Sequence, residues 1–200
     1  MNILEQIGPR ARIIRVATQG TVLDRASAAI KANLLIPPAP VGSPETLILD
    51  LGEDEFEIVA LQNLLLPLAE RVRSGFYGAA KLVVSARDVG VALFVDYLAV
   101  KHAMAIFLST GTTADALRDA RPAGNLTATE LVTLEAMLSS GGPGITASAL
   151  AERFGIELTA AGNRLVNLEK RGFVYRVRQA GRDGDRFIDP RSAVLGPTSV

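Results

Sequence analysis

Apolar positions along the chain follow two regimes that change near residue 122. Before it, short apolar runs alternate with longer segments of helical spacing. Arg12-Ile13-Ile14-Arg15-Val16, Thr46-Leu47-Ile48-Leu49-Asp50-Leu51, Lys81-Leu82-Val83-Val84-Ser85 and Ala105-Ile106-Phe107-Leu108 read as strands. Helices are expected from a capping Asp24 to about Leu35, before Pro37, and from about Phe56 to Arg73. Two more are expected over Val89 to His102 and Ala114 to Ala120. Strands that are apolar throughout belong to a sheet covered on both faces, so the pattern predicts an α/β layer with a mixed, mostly parallel sheet. Pro67 predicts a kink in the second helix near Asn63 or Leu64.

Pro and Gly interrupt both patterns at Arg121-Pro122-Ala123-Gly124-Asn125, which divides the chain into units of about 1–120 and 125–191. In the second unit, Leu126-Thr127-Ala128-Thr129-Glu130 opens one helical run and Thr146 to Gly155 forms another. A third runs from Leu158 to Arg171 with Ala161, Leu165 and Leu168 inward, closed by Gly172. Phe173-Val174-Tyr175-Arg176-Val177-Arg178, a Gly/Asp-rich turn and Arg186-Phe187-Ile188 then predict a hairpin. Three short helices and a basic hairpin are the layout of a winged helix-turn-helix, whose third helix enters a DNA major groove.

Charge sharpens this expectation. The chain carries 21 Lys and Arg against 21 Asp and Glu, so a nucleic-acid footprint has to be local. Residues 164–191 hold eight basic and four acidic side chains, whereas 50–57 holds five acids and no base. On the third helix, Leu158, Thr159, Gly162, Asn163 and Asn167 are expected to face outward. Asn pairs bidentately with adenine, and Thr touches a base edge or a thymine methyl. Arg164, Lys170 and Arg171 suit phosphates, while Arg176, Arg178, Arg182 and Arg186 on the wing suit a minor groove. Against DNA contact stand Glu157 just before the helix and Gly162 within it. Salt-paired arginines on a solvated hairpin are the other reading of the wing, with Asp183 and Asp185 as turn residues.

Two family resemblances follow from these segments. Ile13-Ile14-Arg15-Val16 to Gly20, Leu23-Asp24-Arg25-Ala26-Ser27, Leu47-Ile48-Leu49-Asp50-Leu51 to Phe56, Lys81-Leu82-Val83-Val84, Ile106-Phe107-Leu108-Ser109 and Ala114-Asp115-Ala116-Leu117 resemble the STAS domain of anti-sigma-factor antagonists. Where that family carries a phosphorylatable Ser, this chain has Val59 and Ala60, so the resemblance implies no charge switch there. Glu53-Asp54-Glu55 then either mimics a fixed charge or complements the start of a helix. Leu126-Thr127 with Glu130 and Leu134, Ala149-Leu150-Ala151-Glu152, Leu168-Glu169-Lys170-Arg171-Gly172-Phe173-Val174-Tyr175-Arg176 and Gly181-Arg182-Asp183-Gly184-Asp185-Arg186 resemble MarR-type repressors. That family's additional dimer helices are missing, which implies another dimer surface.

Catalysis finds little support. The single histidine, His102, is expected to cap a helix end beside Lys101. There is no cysteine, no nucleophile elbow and no phosphate loop, and Gly141-Gly142-Pro143-Gly144 reads as a turn. Asp50 with Glu53 and Asp54 has the oxygen donors for magnesium, although capping is the simpler role. No cofactor and no metal are expected. No apolar run reaches bilayer length and no secretory start is seen, so the sequence reading is a cytoplasmic, non-enzymatic regulator that binds double-stranded DNA. A homodimer is expected, with Val91, Phe94, Val95 and Leu98 as its candidate surface unless that helix is simply buried on the sheet, and a protein partner is a further possibility for the STAS-like part. The alternative is a signalling adaptor in which both parts bind proteins.

Overall fold

The structure is a computed structural model that describes residues 10–15, 45–52, 56–112, 115–179 and 184–195. The helix expected from Asp24 to Leu35 lies outside the described residues, as do Arg182, Glu53 and Asp54. Strands β1 (Arg10–Arg15), β2 (Glu45–Asp50), β3 (Lys81–Ser85), β4 (Ile106–Ser109) and β5 (Arg121–Ala123) form one sheet. A last strand, β9 (Val194–Leu195), joins it to give the order β5-β4-β3-β2-β1-β9. Only the β4–β5 pairing is antiparallel; the others are parallel. This is the mixed, mostly parallel sheet that the apolar strand runs predict.

Alternation along the strands divides the core in two. Leu47, Leu49, Leu82, Val84, Ile106 and Leu108 face helices α1 (Ile58–Arg73) and α2 (Val89–Lys101). Ile48, Val83 and Phe107 face the opposite way, towards the short α3 (Ala116–Asp119) and the C-terminal part of the chain. Helix α1 buries Ala60, Leu61, Leu64, Leu65 and Leu68, and it continues unbroken through Pro67, whose side chain is exposed. Val59 is exposed and Ala60 fully buried in its first turn.

The remaining elements are α4 (Ala128–Ser139), β6 (Ile145–Thr146), α5 (Ala147–Phe154), α6 (Leu158–Lys170), β7 (Tyr175–Val177) and β8 (Arg186–Ile188). The three strands form an antiparallel sheet in the order β6-β8-β7. Local chemistry sets the helix starts. Thr127 Oγ1 accepts from the Glu130 N–H at 3.2 Å while Glu130 Oε2 accepts from the Thr127 N–H at 2.8 Å, a reciprocal cap on α4. Thr146 caps α5, and Gly155 ends it in the left-handed conformation. At Gly144, with φ +72°, a Cβ would stand 2.5 Å from the Phe187 carbonyl oxygen, so only glycine lets β6 approach β8.

The winged helix shares its core with the sheet. Leu134, Met137, Leu165, Leu168 and Phe173 belong to the same buried cluster as Ile48, Val83, Phe107 and Leu117. Phe107 and Phe173 meet edge to face with ring centroids 5.8 Å apart. After β8 a single 3₁₀ turn (Pro190–Ser192) returns the chain to the sheet, where β9 pairs with β1. Arg191 secures that turn. Its Nε and Nη2 donate to Asp189 Oδ1 and Oδ2 at 3.0 and 2.8 Å, and its Nη1 donates to the Ala120 carbonyl at 3.1 Å and to Glu135 Oε1 at 3.2 Å. The guanidinium also lies over the Phe107 ring at 5.2 Å. Burial pushes the Asp189 carboxyl above its ordinary range even against these donors, so the pair fixes geometry more than it adds stability.

Two features differ from the sequence reading. The interrupted segment Arg121-Pro122-Ala123 is strand β5, in which Pro122 is tolerated because β5 lies at the sheet edge. Gly124 follows with φ +97°, and the carbonyl oxygens of Ala99 and Met104 stand 3.6 Å from where its Cβ would be, so the link is a packed turn. On α2, Val95 and Leu98 are fully buried against the sheet and Val91 and Phe94 half-buried, so that set is not a free surface. An apolar helix with no strong polar face does not reveal from spacing which side is covered.

Removing Asp189 strips the buried Arg191 of its two shortest side-chain bonds and leaves it only the largely exposed Glu135 as counter-charge, so Asp189→Ala should cost about 3 kcal/mol in urea unfolding of the full chain. The double replacement Asp189→Leu with Arg191→Met should cost less than either single truncation. Equal or greater loss in the double variant would show that the two charges do not act as a pair.

Candidate nucleic-acid interface

Helix α6 is the third helix of the winged unit, and its burial follows the expected spacing. Ala161, Leu165 and Leu168 are fully buried. Thr159, Asn163, Asn167 and Lys170 are exposed, and their spacing aligns them in one row along the solvent face. Leu158, at the helix start, is also exposed. Glu157 occupies the N-cap without a side-chain cap bond, leaving a carboxylate where a phosphate would approach the helix end. The amides of Asn163 and Asn167 stand in the middle of the exposed row.

The cations expected to contact phosphate or the minor groove fall into different environments. Arg171 is anchored: its Nη1 donates to Glu130 Oε1 at 2.6 Å, its Nη2 to the Asn125 carbonyl at 2.5 Å, and its guanidinium lies 5.5 Å from the Phe173 ring centroid. Arg176 pairs with Asp185 at 2.6 Å, approaches Glu169 at 3.9 Å and covers the Phe187 ring. Arg186 donates to Gln179 Oε1 at 3.2 Å and to the Pro143 carbonyl at 3.4 Å. Arg164 is half-buried over the Phe154 ring. Arg178 is exposed and makes no ion pair or hydrogen bond among the described residues, and Lys170 is likewise exposed. Gly162 does not face outward, because a Cβ there would meet the Ala147 Cβ at 3.9 Å, an ordinary contact between α6 and α5.

A polar link that the sequence reading missed ties this unit to the sheet. Thr46 Oγ1 donates to the Pro190 carbonyl at 3.0 Å, so the 2.8 Å contact with Tyr175 has the tyrosine hydroxyl as donor. Burial raises the pKa of that hydroxyl far above its ordinary value and keeps it protonated. Lys81 Nζ lies 5.6 Å from the Tyr175 ring centroid. Burial lowers the Lys81 pKa, opposed by the charge of Glu169 near the end of α6. No spacing rule relates residues 46, 81, 175 and 190, so only the fold brings them together.

Elsewhere the groups considered for chemistry serve the backbone. Asp50 Oδ1 accepts from the Gly52 N–H at 3.0 Å, a turn cap. His102 is the exposed C-cap residue of α2. A cleft of about 660 Å³ lies where the ends of α1, α2 and α6 converge, lined by Val72, Lys81, His102, Met104, Glu169 and Phe173 among others. Among the described residues, no group of three His, Cys, Asp or Glu side chains is placed to hold a metal. No helix among them is long and apolar enough to cross a membrane.

Burial works against the charge on Glu130, but hydrogen bonds from Thr127 and Arg171 outweigh it and hold the carboxyl below its ordinary value. A depressed folded pKa contributes stability that is present above the unfolded value of about 4.3 and is lost as pH falls through the folded one. Glu130→Gln keeps a capping side chain, so it should lower stability at neutral pH by an amount that vanishes in acid. A gap between the two proteins that stays constant from pH 7 to pH 2 would remove the Arg171 pair as its cause. Gly162→Ala should stabilise the chain by up to about 1 kcal/mol, read as a higher urea midpoint, because the site holds a methyl and the helix gains propensity.

No curated protein and no solved structure matches the chain. Residues 125–184, from the turn before α4 to the wing, match the model of the MarR family, whose members are DNA-binding transcription regulators, and the C-terminal part of this chain is accordingly a MarR-like winged helix.

Proposed function

We propose that the protein is a DNA-binding transcription regulator, with the α6 row and the wing contacting duplex DNA and the N-terminal sheet serving as a regulatory and dimerisation unit. The observation that carries this reading is the solvent-facing row Thr159, Asn163, Asn167 and Lys170 on the third helix of a unit that matches a family of such regulators. Asn163 and Asn167 each carry an amide oxygen that accepts from adenine N6 and an amide nitrogen that donates to adenine N7 in the major groove, and Thr159 meets a base edge or a thymine methyl. Lys170, Arg178 and Arg186, with Arg164 and the wing residue Arg182, contribute phosphate or minor-groove contacts. Arg171 and Arg176 reach phosphate only by exchanging their carboxylate partners, so their main part is to hold the helix end and the wing in position. The footprint acts without catalysis and without a cofactor, in the cytoplasm.

The STAS-like reading of residues 1–120 belongs to the same proposal. Its support is the order of described strands, with β1 to β4 adjacent and parallel in sequence order. In this reading the N-terminal part receives a ligand or a protein partner. The adaptor alternative draws on one observation, the apolar side chains that α2 leaves in solvent.

Fluorescence anisotropy with a selected duplex and a random one tests the DNA reading. Asn163→Ala should cost about 1–3 kcal/mol on the selected site and leave the random duplex unchanged. Arg178→Ala should weaken both and reduce the salt slope by about one. Failure of the full chain to bind any duplex at low salt would favour the adaptor, and equal loss on both duplexes would remove Asn163 as a base reader.

A further inference from the structure

Helix α2 is apolar on two sides. Ala92, Val95, Leu98 and Ala99 cover the sheet, while Val89, Leu93, Tyr97 and Val100 are 67, 63, 52 and 42 % exposed. The exposed four fall within one stripe at helical spacing, and Phe94 stacks on Tyr97 at 5.9 Å to widen it. A row of large apolar side chains on a regular helix is a surface that another protein covers.

We infer that this stripe is where two copies of the chain associate, their α2 helices packed antiparallel about a two-fold axis. This deepens the dimerisation role in the proposed function by naming its surface. The choice of occupant rests on charge complementarity. Asp88 caps the helix start, with its Oδ1 accepting from the Val91 N–H at 2.8 Å, and Lys101 ends the helix. An axis between Leu93 and Tyr97 sets Val89 against the partner's Val100, Leu93 against the partner's Tyr97, and Asp88 against the partner's Lys101. The same axis places each helix N-terminus beside the partner's C-terminus, which the helix dipoles favour. A parallel arrangement sets like charges together at both ends. The stripe is thus complementary to itself, as an isologous contact requires. Lys101 makes no ion pair among the described residues; its ammonium lies over the Tyr97 ring at 5.5 Å, ready to meet an acid across the axis.

Sedimentation velocity of the full chain without DNA, over a micromolar concentration series, tests this separately from DNA binding. A reversible dimer is expected. Leu93→Glu and Tyr97→Glu should each weaken it at least tenfold while leaving the circular dichroism unchanged and removing the concentration dependence of the urea midpoint, because both side chains face solvent in the single chain and only the dimer covers them. Lys101→Glu should weaken the dimer, and adding Asp88→Asn, which keeps a capping side chain, should restore part of the loss. A wild-type chain that is monomeric at high micromolar concentration would overturn the inference. So would a dimer indifferent to both glutamates, or one dissociated instead by Leu131→Glu on the exposed side of α4. Loss of DNA binding with the dimer intact would leave this interface standing and count against the DNA reading alone.

Discussion

The arrangement of the molecule depends on the shared core between the sheet and the winged helix, and on the buried Asp189–Arg191 pair at its margin. Phe107 from β4 and Phe173, just beyond α6, meet inside that core. Arg191 then ties the returning chain to the Ala120 carbonyl and to Glu135 on α4. A buried ion pair is a poor source of net stability, but its bonds require particular distances and directions. Here those directions bring α3, α4 and the final turn into one register, after which β9 pairs with the sheet.

This mounting determines how α6 is presented. Its buried side, Ala161, Leu165 and Leu168, faces the shared core, so the opposite row faces solvent by geometry. The end of the same helix is restrained by Arg171, which is bound to Glu130 and Asn125, and Glu169 acts on Lys81 across the junction. Such contacts limit independent motion of the winged unit. The turn at Gly124 is itself packed against the Ala99 and Met104 carbonyls.

In the proposed DNA reading, the electrostatics suit a local rather than a general contact with nucleic acid. The chain as a whole is neutral, and several arginines of the basic segment spend their charge internally: Arg191 on Asp189, Arg176 on Asp185 and Arg171 on Glu130. Asn163, Asn167, Lys170 and Arg178 are left towards solvent. In the proposed DNA reading, that balance would shift the burden from phosphate attraction to base contact.

Local features of the sequence set the order and kind of the described elements, because these respond to nearest neighbours. The continuous apolar runs gave β2 to β4 with small shifts in their ends. Thr127 with Glu130, Thr146 and Gly155 marked the ends of α4 and α5, and the spacing of Ala161, Leu165 and Leu168 identified the inward face of α6. The charge count also located the basic segment. What spacing does not contain is the identity of distant partners. The covered side of α2 depended on the sheet beneath it, since apolar residues occur around most of that helix. Which arginines remain available depended on carboxylates and carbonyls up to 71 residues away, as with Arg191 and Ala120. The use of Arg121-Pro122-Ala123 as an edge strand depended on β4 lying beside it. Local rules act over a few residues, whereas the burial of a charge and the pairing of a strand are decided by atoms that only the folded chain brings into contact.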